Sequence, residues 1–239
     1  MTRKPSLIFV PGAWHTTEYW GKVISAMEAQ DFKCIPVTLP STQSTSTSVN
    51  FSTDVNAVRE AIMTETAQEQ DVVVLAHSYG GAVGNGHVIG LFLIGTGFAA
   101  PGISFLEAIG GKPPPLWAAD YENNTMPLQL DPIEMFYHDL PEEEAKYWVG
   151  KLTNQALTSV TDGYEVAYAG WKDVPVWYII LGEDRNLPVE VQKMFAQSAE
   201  TAGADLVVRE IMSSHSPMLS KPDDTVKALE DAIAAFTST

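Results

Sequence analysis

The chain reads as an α/β fold: a mainly parallel six-stranded sheet flanked by helices, with a helical cap inserted after the fourth strand. Three observations predict it. Short apolar runs alternate with segments of helical spacing, the pattern of a parallel sheet whose connections cross its faces. One apolar run, Val72-Val73-Val74-Leu75-Ala76, leads straight into His77-Ser78-Tyr79-Gly80-Gly81, a strand followed by a sharp small-x-Ser-x-Gly turn. After the fourth strand the alternation stops for about seventy residues, too many for a bare loop.

The elements follow in order. Ser6 to Val10 is the first strand. Glu18 to Gln30 puts Trp20, Val23, Ile24 and Met27 on one helical face. Lys33 to Val37 is the second strand, and Leu39 to Ser48, rich in Ser and Thr around Pro40, is a loop. Ser52, Thr53 and Asp54 offer N-caps for a helix running to about Ala67. Asp71 to Ala76 is the third strand and Val88 to Gly95 the fourth. Pro175 to Leu181 and Asp205 to Glu210 are the fifth and sixth, separated by a helix from about Pro188 to Ala202. A helix from about Pro222 to Phe236 closes the chain. In such a sheet ligands bind beyond the carboxyl ends of the strands.

Residues 1–100 and 173–239 thus make a core, and residues 101–172 a cap or lid, within one structural domain. The cap opens with Gly110-Gly111-Lys112-Pro113-Pro114-Pro115 and continues as an aromatic-rich amphipathic segment, Asp131 to Leu152. The connection from Tyr79 to His87 is short for a crossover between parallel strands, which takes a dozen or more residues. Gly81, Gly84 and Gly86 also make it a poor helix. Either it is a true deletion or a stretch of chain is absent between Gly84 and Val88, and the crossover length favours the second.

The net charge of −16 argues against nucleic acid and against an anionic membrane surface as partners. It is spread along the chain and favours solubility. The single cysteine, Cys34, excludes an intramolecular disulfide and lies in an apolar run that favours packing over reactivity. The five histidines are dispersed, so no metal site is expected. With no secretory or membrane-spanning run, the expectation is a cytoplasmic protein, monomeric or homodimeric.

A serine hydroxyl is a weak nucleophile until a histidine, itself oriented by a carboxylate, takes its proton. On a doubly wound sheet with this serine turn the chain order is Ser, acid, His. Ser78 is the nucleophile. The acid belongs after a late strand, where Gly182-Glu183-Asp184-Arg185 follows Leu181. Asp184 fits that turn best and Glu183 second. The base belongs after the last strand, and His215 stands in the polar loop Ser213-Ser214-His215-Ser216. The developing oxyanion needs two N–H donors: that of Tyr79, which follows the nucleophile, and that of Ala13, in the loop Val10-Pro11-Gly12-Ala13-Trp14-His15. Gly12 lets that loop turn toward the site. Trp14 and His15 are candidates to line the substrate pocket, packing beneath the cap being the alternative for Trp14. His77 is expected to pack or bond locally, and His87 and His138 have no evident partner. Trp117, Phe136 and Trp148, with Tyr121, Tyr137 and Tyr147, are the cap aromatics from which the pocket would draw.

These motifs resemble those of α/β-hydrolases over essentially the full length. Pro11-Gly12-Ala13-Trp14-His15 is similar to the His-Gly-Ala-Trp-His oxyanion loop of the plant methylesterase and hydroxynitrile lyase branch, with proline in place of the first histidine. Glu183-Asp184 with Leu187-Pro188 resembles that branch's acid turn. The segment Phe136-Tyr137-His138-Asp139-Leu140-Pro141 and the small-His-Ser-Tyr-Gly-Gly turn look more like fungal members. The resemblance implies hydrolysis of esters or lactones without a cofactor. Hydroxynitrile lyases of this type carry threonine at the position of Gly12 and lysine at that of Ser216, so both residues favour the hydrolase. Ser78 disfavours the covalent mechanism of epoxide and haloalkane hydrolases, which use aspartate.

The leading reading is a serine carboxylic-ester hydrolase acting on a small, moderately apolar ester or lactone through an acyl-enzyme. The family's polyketide-type metabolites are an expected substrate class. A non-hydrolytic enzyme of secondary metabolism (C–C cleavage or cyclisation) and a small-molecule-binding protein on a hydrolase scaffold are the rivals. The fold alone does not choose among them.

Overall fold

The computed structural model describes residues 3–82 and 88–238. Six strands form one sheet: β1 (Ser6–Val10), β2 (Cys34–Pro36), β3 (Val72–His77), β4 (Val88–Ile94), β5 (Val176–Leu181) and β6 (Leu206–Ile211). Their order is β2-β1-β3-β4-β5-β6. Every pairing is parallel, so the sheet is wholly rather than mainly parallel. Chain order reverses between β1 and β3, where neighbouring connections leave toward opposite faces. In sheets of this kind ligands bind at the carboxyl ends of the two strands that flank such a point. The connection between β3 and β4 holds residues 83–87, outside the described residues, and the two readings of its length fall there.

Strand side chains alternate between the two faces. Leu7, Phe9, Val73, Leu75, Phe92, Trp177 and Ile179 pack on one face against α1 (Gly21–Glu28) and α8 (Pro222–Thr237). Ile8, Val10, Val72, Val74, Leu91, Tyr178 and Ile180 pack on the other against α2 (Phe51–Thr66) and α6 (Val189–Thr201). A side chain at Gly90 would come within 2.5 Å of the Phe236 ring, so the close seating of α8 on β4 depends on that glycine.

Several boundaries differ from the sequence reading. The first helical segment begins as a 3-10 turn, Thr17–Trp20, before α1. Asn50, not Ser52, Thr53 or Asp54, caps α2. Its side chain accepts from the Ser52 and Thr53 N–H groups, while the Thr53 hydroxyl accepts from the Asn50 N–H. Asp54 is freed for another task, described below. Cys34 is half-buried, and burial pushes its thiol up to about 12, in keeping with packing. An extra turn of helix, α7 (Pro217–Ser220), separates the His215 loop from α8.

Between β4 and β5 lie α3 (Phe105–Ala108), a π-helical turn (Ile133–Tyr137), α4 (Glu142–Val149) and α5 (Thr158–Thr161). Met126, Met135, Phe136, Tyr137 and Leu157 from this segment join the core that covers one sheet face. Among the described residues no helix is long and apolar enough to cross a membrane. No group of three metal-ligating side chains occurs among them either.

Candidate active site

β3 delivers Ser78 at its carboxyl end in the left-handed region, with φ +52°. A non-glycine residue held there costs about 1–3 kcal/mol and persists only where its surroundings fix it. Here the surroundings are small and tight. A side chain at Gly80 would meet the Pro11 carbonyl at 2.8 Å and Val10 at 2.9 Å. One at Gly12 would lie 3.0 Å from Cβ of Ser78. Gly12 therefore does more than permit a turn: its missing side chain lets the β1 loop press against the serine. The Thr96 hydroxyl donates to the Ser78 carbonyl at 2.5 Å and ties the turn to the end of β4.

The loops after β5 and β6 bring Asp184 and His215 together. Nδ1–H of His215 donates to Oδ2 of Asp184 at 2.7 Å, with both side chains buried. Glu183, the second choice for the acid, is exposed. Asp184 is held in turn by the Asn186 and Leu187 N–H groups at 2.8 and 2.9 Å and by Gln192 at 3.3 Å. With Nδ1 protonated, Nε2 of His215 carries the lone pair. Among the described residues that lone pair accepts from the Asn186 side-chain amide at 3.0 Å and makes no hydrogen bond to Ser78.

His77 is not confined to local bonds, contrary to expectation. Its Nε2–H donates to the His215 carbonyl at 2.8 Å, and its Nδ1 accepts from the Tyr19 hydroxyl at 3.0 Å. Tyr19 accepts in turn from the Gly12 N–H at 2.9 Å. A single relay thus joins the β1 loop, the serine turn and the histidine loop. Burial holds His77 well below the ordinary histidine range, the nearby His215 and His15 adding to it. It is a structural, neutral imidazole.

In the β1 loop three successive N–H groups divide their work. That of Gly12 goes to Tyr19, and that of Trp14 to Oε1 of Gln155 at 3.2 Å. That of Ala13, the expected oxyanion donor, bonds no described residue. The Tyr79 N–H lies in the first turn of the 3-10 helix Ser78–Ala82, where backbone donors have no intrahelical acceptor.

Trp14 and His15 are both buried. Trp14, at φ +64°, gives its indole N–H to the Met126 carbonyl at 2.8 Å and so packs beneath the inserted segment. His15 donates from Nδ1 to the Ala13 carbonyl at 2.7 Å and accepts at Nε2 from Tyr137 at 2.8 Å. Burial lowers it to about 4, against the pull of the Ala13 carbonyl. With both nitrogens engaged it offers no free base.

From the segment between β4 and β5, Phe136 is brought to the site, its ring 5.8 Å from that of His215 and 6.0 Å from that of Trp14. The Ser214 hydroxyl donates to its carbonyl at 2.9 Å, the Ser214 N–H donates to Asp139 at 2.8 Å, and an ion pair joins Arg185 to Glu134. His138, which had no evident partner, donates to the Glu183 carbonyl at 2.9 Å. Trp117 and Trp148 make no hydrogen bond or ring contact with Ser78, Asp184 or His215. His87 lies outside the described residues.

Sequence reasoning missed Asn186, Tyr19 and Gln155, and undervalued His77. Only the motif positions around His77 and Asn186 hinted at a role, since the partners are distant in sequence.

The comparisons with known proteins agree on the fold. The chain is 27% identical over 250 residues to the alpha/beta hydrolase nvfD of Aspergillus novofumigatus, covering 96% of each protein. The solved structure of polyneuridine aldehyde esterase superposes with a TM-score of 0.74 at 21% identity, over 96% of this chain and 99% of that one. The methylesterase MES16 of Arabidopsis superposes with a TM-score of 0.77 at 16% identity, over 97% and 99%. At these identities the solved structures speak for the fold. The model of the alpha/beta hydrolase family matches residues 7–228, nearly the whole chain, and the protein belongs to that family.

Proposed function

We propose that this protein is a serine carboxylic-ester hydrolase, an esterase or lactonase acting on a small, moderately apolar substrate. The buried His215–Asp184 pair, 2.7 Å apart beside the left-handed Ser78 turn, carries the reading. Asp184 keeps His215 in the tautomer whose Nε2 lone pair can accept a proton. Ser78 then attacks the carbonyl carbon as its proton passes to Nε2. The Ala13 and Tyr79 N–H groups receive the negative oxygen of the tetrahedral intermediate. His215 returns the proton to the leaving alcohol, afterwards takes one from the water that attacks the acyl carbon, and gives it to Oγ of Ser78 as the acid leaves. No cofactor takes part.

Residues 101–172 serve as a cap in this reading. Phe136, seated between Trp14 and His215, gives the acyl side an apolar wall. The likeness to the alpha/beta hydrolase nvfD, to polyneuridine aldehyde esterase and to the methylesterase MES16 supports a hydrolase of this kind.

The test is turnover of short-chain p-nitrophenyl esters together with labelling by a fluorophosphonate, with Ser78→Ala alongside. Both activities should vanish in the variant. A wild type that neither turns over nor labels would overturn the proposal.

A further inference from the structure

A buried polar chain runs from the β1 loop to the serine turn through residues that the mechanism above does not use. It starts at the Trp14 N–H, which donates to Oε1 of Gln155 at 3.2 Å. Nε2 of Gln155 donates to the hydroxyls of Ser41 at 2.7 Å and Ser159 at 2.8 Å. The Ser41 hydroxyl donates to Oδ2 of Asp54 at 2.5 Å, and the Ser41 N–H to Oδ1 at 2.9 Å. The Tyr79 hydroxyl closes the chain on Oδ2 of Asp54 at 2.7 Å.

The direction of each bond follows from its neighbours, the Tyr79 hydroxyl also lying 3.2 Å from the Ser159 carbonyl. Gln155 must aim its oxygen at Trp14, because its nitrogen faces two hydroxyls. Ser159 passes its own proton to the Ala156 carbonyl at 2.7 Å, so it can only accept from Gln155. Asp54 accepts from three donors, and no cation pairs with it among the described residues. Gln155, Ser41 and Ser159 are fully buried and Asp54 nearly so. A satisfied network of buried groups fixes geometry, and loss of one member leaves its partner's polar group unpaired. Tyr79 is further seated by an edge contact with Phe51, ring centres 6.4 Å apart.

The two ends of this chain flank the two N–H groups assigned to the oxyanion. Trp14 follows Ala13 directly, and the Tyr79 side chain is anchored while its own N–H lies in the first turn of its 3-10 helix, without an intrahelical acceptor. We infer that Gln155 and Asp54 are positioning residues, which hold the Ala13 and Tyr79 N–H groups in register for the oxyanion and so build the inserted segment into the catalytic machinery. This rests on the hydrolase reading.

The experiment compares wild type with Gln155→Met, Tyr79→Phe and the double variant on p-nitrophenyl butyrate, with thermal melting of each. Gln155→Met keeps the volume but removes the acceptor for Trp14. Tyr79→Phe deletes one oxygen and keeps the ring and the backbone donor, so it carries the test if Gln155→Met melts early. Loss of a whole oxyanion donor costs about 10²–10³ in kcat, so loss of its bracing should lower kcat by ~10–100-fold, with KM within about twofold. Because both act through one chain, the double variant should lose no more than the worse single one. Single variants that keep wild-type kcat, that change KM and melting temperature alone, or whose losses multiply in the double variant would overturn the inference. An inactive, unlabelled wild type would instead overturn the hydrolase reading, and the inference with it.

Discussion

Asn186 bonds both members of the buried His215–Asp184 pair: its side-chain amide donates to Nε2 of His215 at 3.0 Å, while its own N–H donates to Oδ1 of Asp184 at 2.8 Å. In the proposed mechanism the Nε2 lone pair receives the Ser78 proton, so there Asn186 has to let go before the serine is activated. Its side chain is only half-buried, which leaves it free to turn away. Asn186→Ala should therefore speed fluorophosphonate labelling of Ser78 about fivefold, the worth of one hydrogen bond of ~1 kcal/mol. Slower labelling would mean instead that Asn186 steadies the base.

Asp184→Asn tests the orientation of the imidazole. An amide at this position can present N–H to Nδ1 and favour the wrong tautomer. The expected loss is about 10⁴-fold in kcat with the fold retained, measured as ester turnover beside a melting curve. Asparagine keeps an oxygen for the Asn186 and Leu187 N–H groups, so stability should change little.

Buried histidines give stability a definite pH dependence. His15 is held at about 4 by burial, against an unfolded value of 6.5, and burial lowers His77 as well. Between pH 6.5 and 4 the unfolded chain binds more protons than the folded one, so stability rises with pH there. It is fully present above the unfolded value and is lost on acidification. His15 alone should account for roughly 2 kcal/mol between pH 7 and pH 5. Asp54, raised by burial, acts in the opposite sense at lower pH. Urea midpoints at pH 7 and pH 5 measure the effect, and His15→Gln should flatten it.

Gly80→Ala probes the close approach of the serine turn to β1. The new methyl would stand 2.8 Å from the Pro11 carbonyl, a backbone atom that cannot swing aside. Overpacking of this kind costs about 1–3 kcal/mol. Both the melting temperature and the labelling rate should fall, because the shift would move Ser78 as well.

Much of this architecture is visible in the sequence because it is written locally. Apolar runs announce the strands. The run Val72-Val73-Val74-Leu75-Ala76 before His77-Ser78-Tyr79-Gly80 announces the turn. Asp184 and His215 could be placed because each follows a strand, and parallel strands deliver their carboxyl ends to one edge. The cap on α2 escaped because Asn50, Ser52, Thr53 and Asp54 are all plausible N-caps. Packing chose among them, drawing Asp54 inward to Ser41 and Tyr79.

The sheet and the serine turn are legible from the residue string alone, since each depends on neighbours within a few residues. Which polar groups meet is a matter of how the distant loops pack. Asn186 reaches His215 across 29 residues, His77 reaches the His215 carbonyl across 138, and the Trp14 N–H finds Gln155 across 141. A buried polar group must find a partner, but no local pattern says which distant loop supplies it. Strand order and loop packing settle that, and with it the setting of His215 and of the loop after β1.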